Sequence, residues 1–283
     1  VLAASRASEV PVFGLCHSVH HTIETIAEYL AVDADRLTFA AAGVNHLSWI
    51  TELRVDGEDA YPRLFEVGRR PEIWDRDPVR FELMFHLGRF PTESSGHVSE
   101  YLPYFRSQPA NLGRYARSGY RGESGFYADN WPTWRADSDR KLERVLNGAE
   151  AYPFQRGSES ASYIVEAMTT GGAATVYVNV PNDGFIDNLG DGVVEVAATV
   201  DVDGVHPIHF GSLPPQLASW DRRHMEFHDL TALAILAEDR EAAVHALMLD
   251  PLTSAVCAPA DIRAMFDEMA AAECDYLPAF VNP

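Results

Sequence analysis

Two apolar runs, Leu37 to Ala42 and Leu47 to Val55, stand back to back across the polar break Gly43-Val44-Asn45-His46. The second run closes on Asp56-Gly57, a dipeptide suited to the positive φ angles of a tight hairpin turn. Runs this short between such breaks fit strands, so this part of the chain reads as antiparallel sheet. The pattern returns later. Ala174 to Val180 (ATVYVNV) and Val193 to Val202 bracket Asn182-Asp183-Gly184 and read as a second hairpin. Residues 11–15 (PVFGL) read as a buried strand ending at Cys16. Helical spacing governs residues 18–31, where Val19, Ile23, Ile26, Ala27 and Leu30 recur on one face. Further helices are expected over 78–88, 137–149, 160–170 (stopped by Gly171-Gly172), 215 to about 248 behind Pro214-Pro215, and 260–273. Residues 106–136 are rich in Gly, Arg, Ser, Tyr and Trp without clear periodicity, and are expected to form a long mobile loop or lid. Short paired strands with helices grouped late predict an α+β fold.

Charge narrows the partners. The chain has 42 acidic against 22 basic side chains, a formal net charge of −20, which opposes binding to nucleic acid or to an anionic membrane. No apolar run approaches the roughly 18–20 residues of a membrane helix. The chain begins with Val1, and Val1 to Val10 read as the back half of a helix; no charged start with an apolar signal core is visible. Three cysteines, Cys16, Cys257 and Cys274, are an odd number and suit a reducing cytoplasm better than a disulfide framework.

Three constellations carry chemistry. Cys16-His17 ends one strand and Asn45-His46 another; a thiolate and an imidazole from neighbouring strand ends could bind one divalent metal and leave positions open for substrate. The plainer alternative is a small buried thiol and a satisfied turn histidine. His20 and His21 fall on the following helix, as surface residues, with His20 a candidate for the same cleft. The second constellation, residues 92–105, packs Glu93, His97, Glu100, Tyr101 and Tyr104 together, all of them proton-transfer types. Its plainer reading is a helix start capped by Ser94 or Ser95, with Glu100 on a solvated face. The third is the stretch 179–196 (NVPNDGFIDNLGDGVVEV), in which Asn182-Asp183-Gly184 signals a tight turn between two strands and the several Asn and Asp side chains could hydrogen-bond sugar hydroxyls.

GLCHSV (14–19), AAGVNHLSW (41–49), VRFELMFHLGRFPTESSGHVSEYLPYF (79–105), VYVNVPNDGFIDNLGDGVVEVAATVDVDGVHP (176–207), GSLPPQLA (211–218) and LMLDPLTSAV (247–256) occur in order along the chain. Together they resemble the family-four glycoside hydrolases, within their α-galactosidase-like branch. The resemblance implies a lactate/malate-dehydrogenase-like C-terminal domain over residues 17–283 that binds metal and substrate. Residues 1–16 would be a remnant of an NAD-binding Rossmann domain, its helix end and last strand, and no glycine-rich phosphate loop is present to bind the cofactor. The resemblance further implies NAD and Mn2+ as cofactors. It implies hydrolysis of an α-glycoside by oxidation at the third sugar carbon, elimination, water addition and re-reduction, an exception to the usual carboxylate-pair chemistry.

Carried over by residue, Cys16 and His46 match the family's metal ligands, His17 stands at the acid position, and Asn45 beside the ligand contacts substrate, with Asn182 a further substrate candidate. Glu93, His97, Glu100 and Tyr101 remain candidates for the base, with His97 and Glu100 preferred. An α-galactoside is the expected substrate. An α-galacturonide or α-glucoside is the alternative, and an anionic sugar would call on Arg80, Arg89 or Arg106. A catalytically inactive fragment without the NAD site is the rival from another class. The resemblance also implies a homo-dimer or homo-tetramer. Near His224-Met225-Glu226-Phe227 the chain departs from the family's Asn-containing stretch.

Overall fold

The computed structural model describes residues 1–118, 122–152, 154–157 and 159–282. The chain runs through α1 (Leu2–Ala7), β1 (Gly14–Leu15), α2 (Ser18–Leu30), β2 (Leu37–Val44), β3 (Leu47–Val55) and β4 (Glu58–Asp59). It continues with α3 (Tyr61–Gly68), α4 (Pro71–Trp74), α5 (Pro78–Leu87), β5 (Phe90–Pro91), α6 (Ser95–Tyr101), α7 (Pro109–Tyr115), α8 (Phe126–Leu146) and α9 (Ala161–Thr170). The last part holds β6 (Ala174–Pro181), β7 (Val193–Asp201), β8 (Gly204–Pro207), α10 (Pro215–Ala237), α11 (Arg240–Leu249), α12 (Pro251–Val256) and α13 (Pro259–Ala272). The α+β expectation holds: the strands form one sheet in the order β1-β6-β7-β2-β3-β4, with β5 on β3 and β8 on β7, each pairing antiparallel.

The two predicted hairpins are the frame of this sheet. Asp56 and Gly57 take φ of 51° and 87° and join β3 to β4, as their turn chemistry demands. The second hairpin, β6–β7, is in register from Ala174↔Val200 to Pro181↔Val193, so its connection is the long loop 182–192 rather than a tight turn at Asn182-Asp183-Gly184.

Apolar faces then bring the helices down. Ile23, Ile26, Ala27 and Leu30 of α2 pack with Leu53, Leu64, Phe81 and Phe90 into one core, and Val178, Val194, Val196 and Val200 pack with Ile164 and Leu213 into another. Leu47, Trp49, Leu83, Val98 and Leu102 fill the space beneath α5 and α6.

Two expectations fail. Strand β1 is two residues long, because Pro11 to Phe13 lie outside the ladder. Residues 106–136 are not a structureless lid: α7 and the first half of α8 occupy them, while 119–121 lie outside the described residues. Helix α8 begins eleven residues before the charged helix expected from 137. Its 21 residues, Phe126–Leu146, bury no side chain in the core. Without a face against the core, the segment carries no strong apolar stripe for periodicity to reveal.

Candidate metal and substrate centre

Sheet and helices converge on the turn between β2 and β3. Gly43 makes the turn possible: a Cβ there would stand 2.7 Å from the Ser48 Cα and 3.0 Å from an Asp221 carboxylate oxygen. Only glycine lets β2 and β3 close this tightly with α10 pressed against them. Beyond it, the Asn45–His46 peptide is cis and His46 is half-buried. The segment leaving β1 carries Cys16 to the same place, and the segment leaving β5 carries Glu93.

One donor atom from each of Cys16, His46 and Glu93 lies within 4.8 Å of the other two. His46 Nδ1 is 2.8 Å from Glu93 Oε2 and 3.6 Å from the Cys16 sulfur. On the far side of Glu93, Oε1 is 3.3 Å from His97 Nδ1 and accepts the Ser94 backbone N–H at 2.7 Å.

The ionisation states follow from these partners. Burial resists the Glu93 charge, but hydrogen bonds from His46, His97 and the Ser94 amide overcome it and hold the carboxyl well below its usual range. His46 is pushed up to about 10, chiefly by its hydrogen bonds to Cys16 and Glu93, against the opposing effect of burial. Burial likewise opposes ionisation of Cys16, yet its contacts with His46, Ser18 and Asn45 bring it below an ordinary thiol. A thiol, an imidazole and a carboxylate poised this way form a mixed sulfur, nitrogen and oxygen donor set, and its protons can be exchanged for a divalent cation.

A buried polar network fixes Glu93 relative to Cys16. Arg80, in α5, donates through Nε to Asp77 at 2.7 Å and through Nη1 to Thr22 of α2 at 2.8 Å, with its guanidinium 4.7 Å from the Phe90 ring centre. Asp77 also accepts from Tyr29 at 3.0 Å and from the Ser95 hydroxyl. Thr22 donates to the Thr92 carbonyl. The turn Thr92–Ser95 is thereby tied to α2, the helix that follows Cys16-His17. Ser94 caps α6 by accepting the His97 backbone N–H at 3.3 Å, so the capped-helix reading of this stretch is correct and coexists with the chemical one.

The other predicted residues separate. His97 and Tyr101 share the face of α6 that looks at the centre: the Tyr101 ring stacks on His46 at 5.9 Å and 18°, and the His97 ring lies 5.9 Å from His46. Burial, with Glu93 and Glu100 nearby, pushes Tyr101 up to about 12. Glu100, a preferred base, is turned away: it is exposed and ion-pairs with Arg106 at 3.4 Å. His97 and Tyr101, four residues apart, stand one above the other on α6, and Glu100 pairs outward with Arg106. His17 is exposed beside Cys16 and pairs with Glu159 at 2.9 Å. His20 is not a surface residue; it is half-buried, edge-on to Tyr177 at 6.1 Å.

Asn182 is also a correction. Its amide donates to the Ile186, Leu189 and Gly190 carbonyls, each at 3.1 Å, and its oxygen accepts the Ile186 N–H at 2.9 Å. With both ends of the amide engaged, Asn182 braces the 182–192 loop and presents nothing to a sugar. The three arginines considered for an anionic sugar are committed elsewhere as well: Arg80 to Asp77, Arg89 to the Thr51 and Gly88 carbonyls, and Arg106 to Ser99 and the Gly122 carbonyl.

Sequence reasoning missed Glu195, and met Asn179 only as one of the several Asn and Asp residues of 179–196. Glu195, with no exposed surface, accepts from Asn45 Nδ2 at 3.2 Å and from Asn179 Nδ2 at 3.4 Å. Each stands between apolar residues of its strand, at directly paired positions of the β6–β7 hairpin, and that was the signal available.

Comparison with known proteins follows this geometry. The family 4 glycosyl hydrolase C-terminal domain matches residues 41–253. An alpha-galactosidase from Bacillus subtilis is 35% identical over 98% of this chain and 64% of its own length. One from Rhizobium meliloti is 31% identical over 99% of this chain and 59% of its own. The chain thus spans about three fifths of the length of these relatives. Among solved structures, a 6-phospho-alpha-glucosidase from gut microorganisms in complex with NAD and glucose-6-phosphate aligns over 98% of this chain and 63% of its own, with a TM-score of 0.75 at 20% identity. A Thermotoga maritima 6-phospho-beta glucosidase with manganese, NAD+ and glucose-6-phosphate aligns over 94% and 60%, with a TM-score of 0.68 at 22% identity. At these identities the two structures establish a shared fold.

Proposed function

Because the chain belongs to family 4 of the glycosyl hydrolases, we propose that the whole protein hydrolyses α-glycosides, with α-galactosides as its substrates. The observation that carries the reading is the convergence of Cys16, His46 and Glu93 at one point beside two proton-transfer groups.

Cys16, His46 and Glu93 fit a divalent cation, Mn2+ in this reading, by donor chemistry and by the ionised state of Glu93. Bound there, the ion supplies Lewis-acid stabilisation of negative charge developing on the sugar oxygens. The residues of this chain do the rest. Tyr101, stacked on His46, is assigned as the base that takes the proton from the second sugar carbon. Its hydroxyl has no hydrogen-bond partner among the described residues, whereas His97 is held between Glu93 and Tyr127. The charges that keep Tyr101 protonated, Glu93 and Cys16 among them, are those that a cation on the same ligands offsets. His17, beside Cys16 and paired with Glu159, is assigned as the acid that protonates the leaving oxygen. Asn45, next to His46, contacts the sugar.

NAD enters this reading as the whole protein's hydride acceptor for transient oxidation of the sugar. Among the described residues no glycine-rich turn joins a strand to a helix N-terminus as a diphosphate cradle, so the residues present do not by themselves fit the dinucleotide. A neutral hexose is preferred over a uronide because Arg80, Arg89 and Arg106 are engaged elsewhere. No helix among the described residues is long and apolar enough to cross a membrane. A thiolate ligand functions best in a reducing compartment such as the cytoplasm.

The test is cleavage of nitrophenyl α-galactoside and of an α-galacturonide by the whole protein with NAD+, Mn2+ and a reductant. The galactoside is expected to be cleaved at least ~10-fold more efficiently, the scale of one lost polar contact at a buried site. Cleavage of neither, or preference for the uronide, contradicts the proposal.

A further inference from the structure

We propose that Glu195 is a positioning residue that turns the side-chain oxygens of Asn45 and Asn179 outward as a pair of hydrogen-bond acceptors for sugar hydroxyls. The inference rests on the glycoside-binding reading above and names what orients the sugar there.

It begins with a row of paired residues across the sheet. Gly14 of β1 faces Asn179, Asn179 faces Glu195, and Gly43 faces both Glu195 and Ser48. The two glycines leave room beside the polar side chains: a Cβ at Gly14 would lie 3.2 Å from the Asn179 Cβ. Glu195 therefore sits wholly inside, where a carboxyl is costly and where an apolar side chain of similar size would be more stable.

Its contacts indicate what the carboxyl does. A single oxygen, Oε1, accepts from the amides of both Asn45 and Asn179. An amide facing a carboxylate oxygen must present its NH2, because its own oxygen would be repelled. Each asparagine is thus held with Nδ2 inward and Oδ1 away from Glu195. Burial favours the protonated carboxyl, with Ser48, His46 and the two amides opposing it; with the proton on Oε2, Oε1 still accepts from both amides.

The outward side is a cavity of about 420 Å³ walled by Asn45, Asn179, Gly14, Leu15, Gly192 and Val193, among others. Leu15 and Asn45 of its wall are the sequence neighbours of Cys16 and His46. Two fixed oxygens there select for hydroxyl donors, which a sugar supplies.

The test uses this chain with saturating Mn2+ and methyl α-galactoside. Sugar affinity is read by calorimetry and Mn2+ affinity by electron paramagnetic resonance. Asn179→Ala and Glu195→Ala should each weaken sugar binding about 10-fold, the scale of one lost hydrogen bond to a buried partner, with Mn2+ affinity within about 2-fold. The double variant should lose no more than Glu195→Ala alone, because Asn179 acts through its hold on Glu195. Glu195→Gln keeps an accepting oxygen and should recover affinity to within about 3-fold. Replacing the recognised hydroxyl by fluorine, which cannot donate, should weaken binding to the wild type but not further to Asn179→Ala. Additive losses, a fluorine effect unchanged by Asn179→Ala, or Mn2+ affinity falling in step with sugar affinity would each overturn the proposal. If Glu195→Ala does not fold, Asn179→Ala and the fluorinated sugar still decide. Mn2+ binding without any sugar binding by the wild type would instead overturn the glycoside reading, and this inference with it.

Discussion

On one side of the Gly43–His46 turn, Glu93 lies between two imidazoles; on the other, Glu195 lies between two asparagine amides. The residue type is the same, and both carboxyls are buried. Burial pushes both toward the neutral form, and their partners decide the outcome. Hydrogen bonds from His46 and His97, together with the attraction of His46, hold Glu93 ionised, while neutral amides leave Glu195 raised. A carboxylate among proton donors is ready to exchange those protons for a cation. A carboxyl among amides can orient them. In the reading proposed above, holding the ion and aiming the sugar are divided between the two sides of a four-residue turn.

The comparison can be broken from the Glu93 side first. Cys16→Ser should lower Mn2+ affinity by at least ~100-fold, above the range seen when an outer-shell partner of a ligand is lost. Unchanged affinity in a calorimetric titration would remove Cys16 from the centre.

Arg80→Ala should come next in magnitude. It leaves Asp77 charged and buried without its partner, a loss of about 3–5 kcal/mol, measurable as a lower denaturation midpoint. It should also loosen the Thr92–Ser95 turn and weaken Mn2+ binding. Full stability would contradict the network.

The pH dependence sharpens the same contrast. In the metal-free chain His46 holds its proton up to about 10, and Mn2+ must displace it. Between pH 7 and 9 Mn2+ affinity should therefore rise at least about 10-fold per unit, for the proton that leaves His46. The raised His46 stabilises the metal-free chain fully below its unfolded value of about 6.5 and ceases to as pH passes about 10. The lowered Glu93 stabilises it above about 4.3 and ceases to as pH falls below that. Denaturation midpoints should fall on both sides of that window, and a flat profile would contradict the pairing.

The smallest effect belongs to a region remote from either carboxyl. Trp131 is 60% exposed on α8, and Trp131→Ser should shift the stability of the chain by no more than about 0.5 kcal/mol. A larger loss would show that α8 is held to the body more firmly than its burial indicates.

Much of this site was legible in the sequence, for identifiable reasons. Cys16 and His46 stand at breaks after apolar runs, where strands end and side chains emerge. His97 and Tyr101 recur one helical turn apart, with Glu93 in the polar turn just before that helix. Asn182 was misleading because Asn-Asp-Gly chemistry is strong wherever it occurs, and there it serves the loop. Glu195 was hidden, and Asn179 was not singled out, because a polar residue among apolar strand neighbours acquires meaning only from register, and register comes from pairing across the sheet. The first half of α8 was missed although Tyr127, Trp131 and Trp134 recur at helical spacing: Pro132 interrupts the pattern, and no face against the core enforces it.

The central claim is that Cys16, His46 and Glu93 hold one divalent ion together. Titration of this chain with Mn2+, followed by loss of the free-ion electron paramagnetic resonance signal, tests it directly, with Glu93→Gln alongside. One Mn2+ per chain for the wild type, and at least ~10-fold weaker binding for Glu93→Gln, is the predicted result. No binding by the wild type, or equal binding by both, would contradict it.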